Sequence, residues 1–358
     1  MMDNTSRGSA GTLREGTLGL SLYCSYEDIA EIAVAAERRG FEALWVSEAG
    51  ESAIIRASAA IHASSRIEVG TNVALAFPRS PTAMAMDAWD LSGLSGGRFS
   101  LGLGSQVRRI IEDRYSSSFS SPAARMAEYL QVLRSAWAME RGDSSTFTGQ
   151  HYRLLLPSVA GLGSSDRKDP QVYVAAVGPL MTKTAVRYAD GILGHPFTSD
   201  RFLRDTFVPR IESLLEQEGR PSAGFRFCQG FIVSADDDGD RARRAAKLQI
   251  AFYGTTPNYA GVFASYGDED LCGRLRGVWK SADGSDLCRA LVDAVPDEAL
   301  DRYAIAGEPA EVRTRVDRVR PLCDQLIVSP PWFAAGPKEM RERTLKLIEA
   351  LGPDRQIS

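Results

Sequence analysis

The chain has 358 residues, of which 44% are hydrophobic and 25% charged, so it has enough apolar material for one large core without disulfide or metal staples. Acidic and basic residues nearly cancel, 46 against 42, and the arginines are spread along the chain rather than gathered into runs. This composition argues against nucleic-acid binding and favours a small-molecule partner.

The five cysteines are widely spaced and form no CxxC pair, which argues against a zinc site or a disulfide framework and suits a reducing cytoplasm. No apolar run approaches the roughly 18 residues that span a bilayer, so no membrane segment is expected. Residues 1–16 are polar and rich in Gly, Ser and Thr, which indicates a disordered leader. We expect residues 17–358 to form a single domain.

Short apolar runs alternate with longer stretches of helical periodicity, which predicts βα units on a parallel sheet. Thr17–Leu22 is the first predicted strand, Ser25 is placed to cap the helix that follows, and Gly40 to end it. The other predicted strands are residues 43–47, 67–77, 98–104, 172–177, 191–194, 231–234 and 326–329. Eight parallel strands close naturally into a (β/α)8 TIM barrel, an α/β fold.

Two stretches are insertions in such a barrel. Residues 144–170 include a segment of hairpin character at 146–156. Residues 249–300 are a long mixed segment, which we expect to cover the barrel mouth as a lid. Because TIM-barrel sites are built at the C-terminal ends of the strands, the candidate site residues lie there.

The segment Ala175, Ala176, Val177, Gly178 and Pro179 runs from a predicted strand into a predicted helix. Proline favours the helix start, and Gly178 permits backbone N–H groups to approach a phosphate at the positive end of the helix dipole. The alternative is a tight turn that binds no ligand.

Residues 101–106, which end in Ser105 and Gln106, form a glycine-containing strand end that could lie against a flat ring, because glycine permits close backbone approach. The segment lacks the third glycine of a dinucleotide-binding fingerprint, so a Rossmann fold is disfavoured.

Among the three histidines, His195 directly follows a predicted strand end, where a group that titrates near neutral pH would reach bound substrate. An exposed loop histidine is the alternative. His62 is predicted to be structural or solvent-facing, and His151 lies in the hairpin insertion without an evident partner.

Glu48 follows the second predicted strand, and its carboxylate should point into the mouth, where partial burial would suit acid/base work. The alternatives are a cap on the helix that starts near Ser52 and a salt bridge to Arg56. No spacing characteristic of a hydrolase is present.

An ordered series of segments resembles the luciferase-like monooxygenase superfamily, and its downstream part resembles the actinobacterial branch that depends on the deazaflavin coenzyme F420. The segments are residues 40–48, 66–73, 79–81 and 94–104, and then 175–179, 188–191 and 251–254.

The resemblance implies that the deazaflavin ring lies over the barrel mouth against a bulge with a non-prolyl cis peptide at Asn72-Val73. It also implies phosphate contacts from Ala176, Val177 and Gly178, further cofactor contacts from Ser105 and Gln106, and a homodimer.

The chain departs from the pattern at the end of the second strand, where an acidic residue is usually followed by histidine and the pair here is Glu48-Ala49. Glu48, with His195, is left for acid/base work. We therefore expect an F420-dependent oxidoreductase that transfers a hydride to or from a small organic substrate. The alternatives are an FMN-dependent monooxygenase and a repurposed cofactor-binding barrel with little redox activity.

Overall fold

The computed structural model of the protein describes residues 16–156, 168–256, 259–281 and 284–352. The predicted leader, apart from Gly16, and residues 157–167 of the first predicted insertion lie outside the described residues.

The strands of this structure include all eight that the sequence predicts. In chain order they are β1 (Thr17–Leu22), β2 (Ala43–Val46), β3 (Glu68–Thr71), β4 (Ala74–Leu75), β5 (Phe99–Gly104), β6 (Phe147–Thr148), β7 (Arg153–Leu154), β8 (Gln171–Ala175), β9 (Gly191–Gly194), β10 (Arg226–Ala235), β11 (Ala304–Gly307) and β12 (Gln325–Ser329).

Eight of these strands form a closed parallel barrel in the order β1-β2-β3-β5-β8-β9-β10-β12, with β12 paired back to β1. The predicted (β/α)8 TIM barrel is confirmed. Its parallel strands place all their C-terminal ends at one mouth, where the functional groups of such barrels lie.

The helices that pack around the barrel and over its mouth are α1 (Ile29–Arg38), α2 (Ala53–Ala63), α3 (Pro81–Leu94), α4 (Pro122–Glu140), α5 (Pro179–Tyr188), α6 (Asp200–Phe202), α7 (Val208–Gln217), α8 (Gly239–Gly254), α9 (Ala260–Ala264), α10 (Glu269–Ser281), α11 (Gly284–Ala294), α12 (Asp297–Tyr303), α13 (Pro309–Val319) and α14 (Pro337–Leu351). Residues 110–114 and 203–207 form π-helical turns.

The barrel interior is filled by side chains rather than open. Trp45 of β2 is fully buried there, contacts the edge of the Tyr173 ring, and donates a 2.6 Å hydrogen bond from Nε1 to Oε1 of Gln325. A Cβ at Gly70 would stand 2.5 Å from the Trp45 ring. The indole therefore requires glycine on the neighbouring strand, and ligands have access only from above the packed interior.

Four local predictions are corrected. The predicted strand 67–77 is split into β3 and β4, because the chain bulges at residues 72–73. β10 starts five residues before its prediction, and β11, which extends the sheet from β10, was missed. Ser25 donates to the Asp28 carboxylate and makes no capping bond to the helix backbone.

The two predicted insertions have different character. Residues 146–156 contain the antiparallel hairpin β6–β7. The described residues of the segment 249–300 are mostly helical rather than mixed, since they comprise the end of α8, then α9 to α11, and the start of α12. Its core is a buried cluster of aromatic and aliphatic side chains. The cluster includes Phe197, which follows β9, so the segment packs against the barrel mouth.

Candidate active site at the barrel mouth

The bulge between β3 and β4 contains a cis peptide bond at Asn72-Val73, as the resemblance implied. Ser47, at the end of β2, donates a 3.0 Å hydrogen bond to the Asn72 carbonyl oxygen. Asn72 and Val73 are both partly exposed at the mouth. The bulge is therefore held from the neighbouring strand and offers an irregular backbone surface to a ligand.

The glycines of β5 make room for the chain at this bulge. A Cβ at Gly102 would stand 1.9 Å from the Thr71 carbonyl oxygen, and a Cβ at Gly104 would stand 2.4 Å from Cγ2 of Val73. The space on the Cβ side of both glycines is thus already filled by the protein. The predicted contact between the end of this strand and a flat ligand stays a prediction.

Ser105 and Gln106 follow β5 at the mouth. Gln106 is exposed and has a φ of 54°, in the left-handed region that non-glycine residues rarely adopt. Its side-chain Oε1 accepts a hydrogen bond from the Val107 N–H, and the Ser105 hydroxyl donates to the Gln106 carbonyl. Backbone conformations of this kind concentrate at functional loops.

The Glu48 carboxylate is engaged by three donors. It forms a two-pronged ion pair with Arg79, with contacts of 2.6 and 2.9 Å, and accepts a 2.8 Å hydrogen bond from the Leu75 N–H in β4. Its side chain is only 5% exposed. Neither Ser52 nor Arg56 is its partner, since Ser52 caps α2 with its own hydroxyl and Arg56 pairs with Glu51.

This arrangement favours a positioning role for Glu48 over acid/base chemistry. A carboxylate that accepts a bidentate arginine and a backbone N–H has both oxygens occupied in its charged form. Glu48 links the end of β2 to β4 and to Arg79, and so holds the bulge from the side opposite to β5.

The segment from Ala175 to Gly178 leads directly into α5, with Gly178 as the N-cap and Pro179 at the first turn. No side chain caps this helix, and space is open around Gly178, where an added Cβ would meet no atom within 4 Å. The first N–H groups of α5 and the positive end of its dipole are therefore available to an anion.

A small cavity joins this segment to His195. Its lining includes Ala176, Val177, His195, Thr198 and Gln229. The Thr198 hydroxyl is buried and makes no hydrogen bond within the part of the chain that the structure describes. A buried hydroxyl without a partner is costly, so this one is suited to a ligand or a bound water.

His195 is neutral, and its ring is enclosed by aromatic side chains. Burial lowers its pKa to about 3. That N–H donates to Nδ1 at 3.1 Å, and Nε2 lies 2.8 Å from the Tyr259 hydroxyl. The Tyr259 ring stacks on the imidazole, with ring centroids 4.4 Å apart.

The profile of the luciferase-like monooxygenase family matches residues 4–324. The chain belongs to this family. The family assignment made from the sequence is therefore confirmed.

Three relatives illustrate the match. An uncharacterized protein of Mycobacterium tuberculosis is 36% identical over 319 residues, which cover 86% of this chain and 90% of that protein. An F420-dependent glucose-6-phosphate dehydrogenase of Amycolatopsis mediterranei is 29% identical over 312 residues, which cover 83% and 85%. The structure of the coenzyme F420 dependent tetrahydromethanopterin reductase from Methanopyrus kandleri superposes with a TM-score of 0.78, at 20% identity, over 95% of this chain and 99% of that chain.

Within this luciferase-like fold, sequence reasoning missed three residues of the mouth. Arg79 pairs with Glu48, Tyr259 contacts His195, and the Trp332 ring stacks on Tyr23 at 5.9 Å. The available signal was positional, because Trp332 follows the last barrel strand just as His195 follows β9. Arg79 and Tyr259 lie on connections whose spatial course the sequence alone does not define.

The remaining candidate groups lie away from the mouth or offer it nothing. Ala49 is exposed and, lacking a polar side chain, replaces no histidine function. Cys24 is buried beside Arg56, and burial raises its pKa to about 12. His62 bonds a carbonyl of its own helix, and only the backbone N–H of His151 bonds Glu128.

Among the described residues, no helix has both the length and the apolar character to cross a bilayer. Nor do the described residues bring together three or more His, Cys, Asp or Glu side chains in a group suited to a metal ion.

Proposed function

We propose that this member of the luciferase-like family is an F420-dependent oxidoreductase that acts on a small organic substrate. Named relatives support the cofactor, among them the F420-dependent glucose-6-phosphate dehydrogenase. The structural observation that carries the proposal is the uncapped, open start of α5, which lies at the same barrel mouth as the bulge at Asn72 and Val73.

The residues present fit the coenzyme. Asn72 and Val73 would face its ring system, and the first turn of α5 with Ala175, Ala176, Val177 and Gly178 would hold its phosphate. Ser105 and Gln106 lie at the end of β5, which is paired directly with β8. When bound, F420 supplies hydride chemistry, while the protein binds and orients the reactants and excludes water.

We assign Glu48 and His195 to positioning. Glu48 fixes the bulge through Arg79 and the Leu75 N–H. His195, held neutral by burial, accepts the Phe197 N–H and fixes the Tyr259 hydroxyl. Neither residue is free to exchange a proton with a ligand while these contacts persist.

A turnover assay separates this function from its rivals. The purified protein is mixed with reduced F420 and a panel of carbonyl compounds, and both the absorbance of oxidised F420 and dissolved oxygen are followed. We expect substrate-dependent F420 oxidation without oxygen uptake, because a deazaflavin is a poor oxygen activator. Oxygen uptake with reduced FMN would support the monooxygenase, and F420 binding without any turnover would support the repurposed barrel.

We further propose a homodimer in a reducing cytoplasm. All five cysteines are unpaired. Ile55 of α2 and Met86 of α3 are 60% and 62% exposed on neighbouring helices, and a dimer interface on this side of the barrel would bury both side chains. Light scattering should give a molar mass of twice the 38.9 kDa of the chain. Met86→Lys should lower this measured mass, and a monomeric wild type would contradict the proposal.

A further inference from the structure

Five aromatic side chains meet above the barrel mouth, and we name them the mouth aromatic cluster: Tyr23, His195, Tyr253, Tyr259 and Trp332. They come from the ends of β1 and β9, from α8, from the connection between α8 and α9, and from the loop after β12. Tyr253 contacts the rings of His195, Tyr259 and Trp332 at 4.7, 5.5 and 6.4 Å between centroids.

The hydrogen bonds of His195 set the direction of the Tyr259 hydroxyl proton. Nδ1 accepts the Phe197 N–H, so the single proton of the neutral imidazole lies on Nε2, and Nε2 donates to Tyr259 Oη at 2.8 Å. The phenol then acts as acceptor toward His195, and its own O–H is directed elsewhere. Within the described residues, Oη has no second partner.

The cluster also lacks charge. Burial raises the pKa of Tyr23, Tyr253 and Tyr259, helped in the last two by the neighbouring Tyr23, and no charged side chain of the described residues is among the causes. By contrast, Asp268 and Arg302 both influence the pKa of Tyr303 beneath the helical insertion. A charged ligand group would lose its hydration at the cluster without gaining a counter-ion, which is costly.

We propose that the mouth aromatic cluster binds an uncharged, ring-containing molecule whose carbonyl or hydroxyl oxygen accepts a hydrogen bond from Tyr259 Oη. The assignment of this molecule as the substrate rests on the proposed oxidoreductase function. The aromatic rings supply apolar contact, and Tyr259 supplies a donor whose direction is set by His195, at a mouth where Ala49 provides none.

The test uses three probes of similar size: acetophenone, which is neutral and carries a carbonyl; ethylbenzene, which lacks the oxygen; and benzoate, which is charged. Dissociation constants are measured by ligand-observed NMR, with and without F420. Tyr259→Phe removes only the hydroxyl. The matched control is Tyr266→Phe, whose hydroxyl donates to Asp200 instead.

We expect acetophenone to bind the wild type at least tenfold more tightly than benzoate. Tyr259→Phe should weaken acetophenone about fivefold, the effect of one net hydrogen bond, and leave ethylbenzene unchanged, while Tyr266→Phe changes neither. Equal binding of benzoate and acetophenone, or an unchanged acetophenone constant in Tyr259→Phe, overturns the inference.

An F420 titration of the same samples separates the two proposals. If F420 binds but acetophenone binds neither in its presence nor in its absence, this inference is overturned and the cofactor proposal stands. Acetophenone binding with the expected loss in Tyr259→Phe, but without F420 binding, supports the ligand class and overturns the cofactor proposal.

Discussion

At the scale of single residues, Glu48 and His195 are polar groups of the mouth whose partners are already assigned. Glu48 has three donors, and His195 has a donor on one ring nitrogen and an acceptor on the other. Such groups act by holding neighbouring groups in place. Their removal should therefore lower the stability of the fold or shift those neighbours, and should not abolish a proton-transfer step.

We predict that Glu48→Gln lowers the free energy of unfolding by about 2 kcal/mol, because the amide cannot satisfy Arg79 and the Leu75 N–H together. Urea denaturation measures the change. Glu112→Gln is the matched control, since Glu112 forms an exposed pair with Arg108 and should cost under about 0.5 kcal/mol. Equal stability of the two variants would contradict the positioning role.

The pKa of His195, about 3 in the folded protein, predicts a pH dependence of stability. The unfolded histidine titrates near 6.5, so between these values the unfolded state binds the extra proton and stability falls as pH is lowered, by up to about 1.4 kcal/mol per unit. Its neighbours Tyr253 and Tyr259 stay neutral throughout, because burial raises their pKa.

Denaturation at pH 7 and pH 5 tests this linkage. We expect His195→Gln to lose part of the decline seen in the wild type, while His62→Gln, in the exposed last turn of α2, retains it. An identical slope in His195→Gln and wild type would show that His195 is protonated normally in the folded state.

At the scale of elements, the bulge depends on the strand beside it. Thr71 Oγ1 donates to the Gly102 carbonyl at 2.7 Å and accepts the Gly102 N–H at 2.9 Å. This reciprocal pair holds β3 against β5 just before the chain bulges at Asn72 and Val73. The close approach of β3 and β5 at this point thus requires glycine at position 102.

We predict that Gly102→Ala costs about 2 kcal/mol or more in unfolding free energy, because its Cβ would meet the Thr71 carbonyl, a backbone atom that cannot rotate away. Gly277→Ala in α10 is the control, and it should change the free energy of unfolding in the opposite direction. Its Cβ meets no atom within 4 Å, and alanine should stabilise that helix by about 0.5 to 1 kcal/mol. A neutral Gly102→Ala would mean that the bulge adjusts freely.

The sequence predicted the elements better than the contacts between them. Strands such as Ala43–Val46 are continuous apolar runs because barrel strands are covered on both sides, and their pattern is local. The partnership of Glu48 with Arg79 joins residues 31 positions apart, and that of His195 with Tyr259 joins residues 64 apart. No local pattern encodes such pairs, and the salt bridge considered as an alternative for Glu48 was therefore the one to the nearer Arg56.

At the scale of the whole molecule, the barrel supplies one mouth with two kinds of surface. One side carries the cis-peptide bulge and the open start of α5, and the other carries the mouth aromatic cluster. A cofactor on the first surface and an uncharged molecule on the second would meet above the packed barrel interior. Substrate choice would then depend on side chains from both the barrel strand ends and the helical insertion.

A paired fluorescence titration with F420 and with FMN tests the proposed cofactor most directly. We predict saturable binding of oxidised F420, weakened in a Gly178→Asp variant that places a negative charge at the start of α5, and little binding of FMN. Tight binding of FMN alone, or of neither compound, would contradict it.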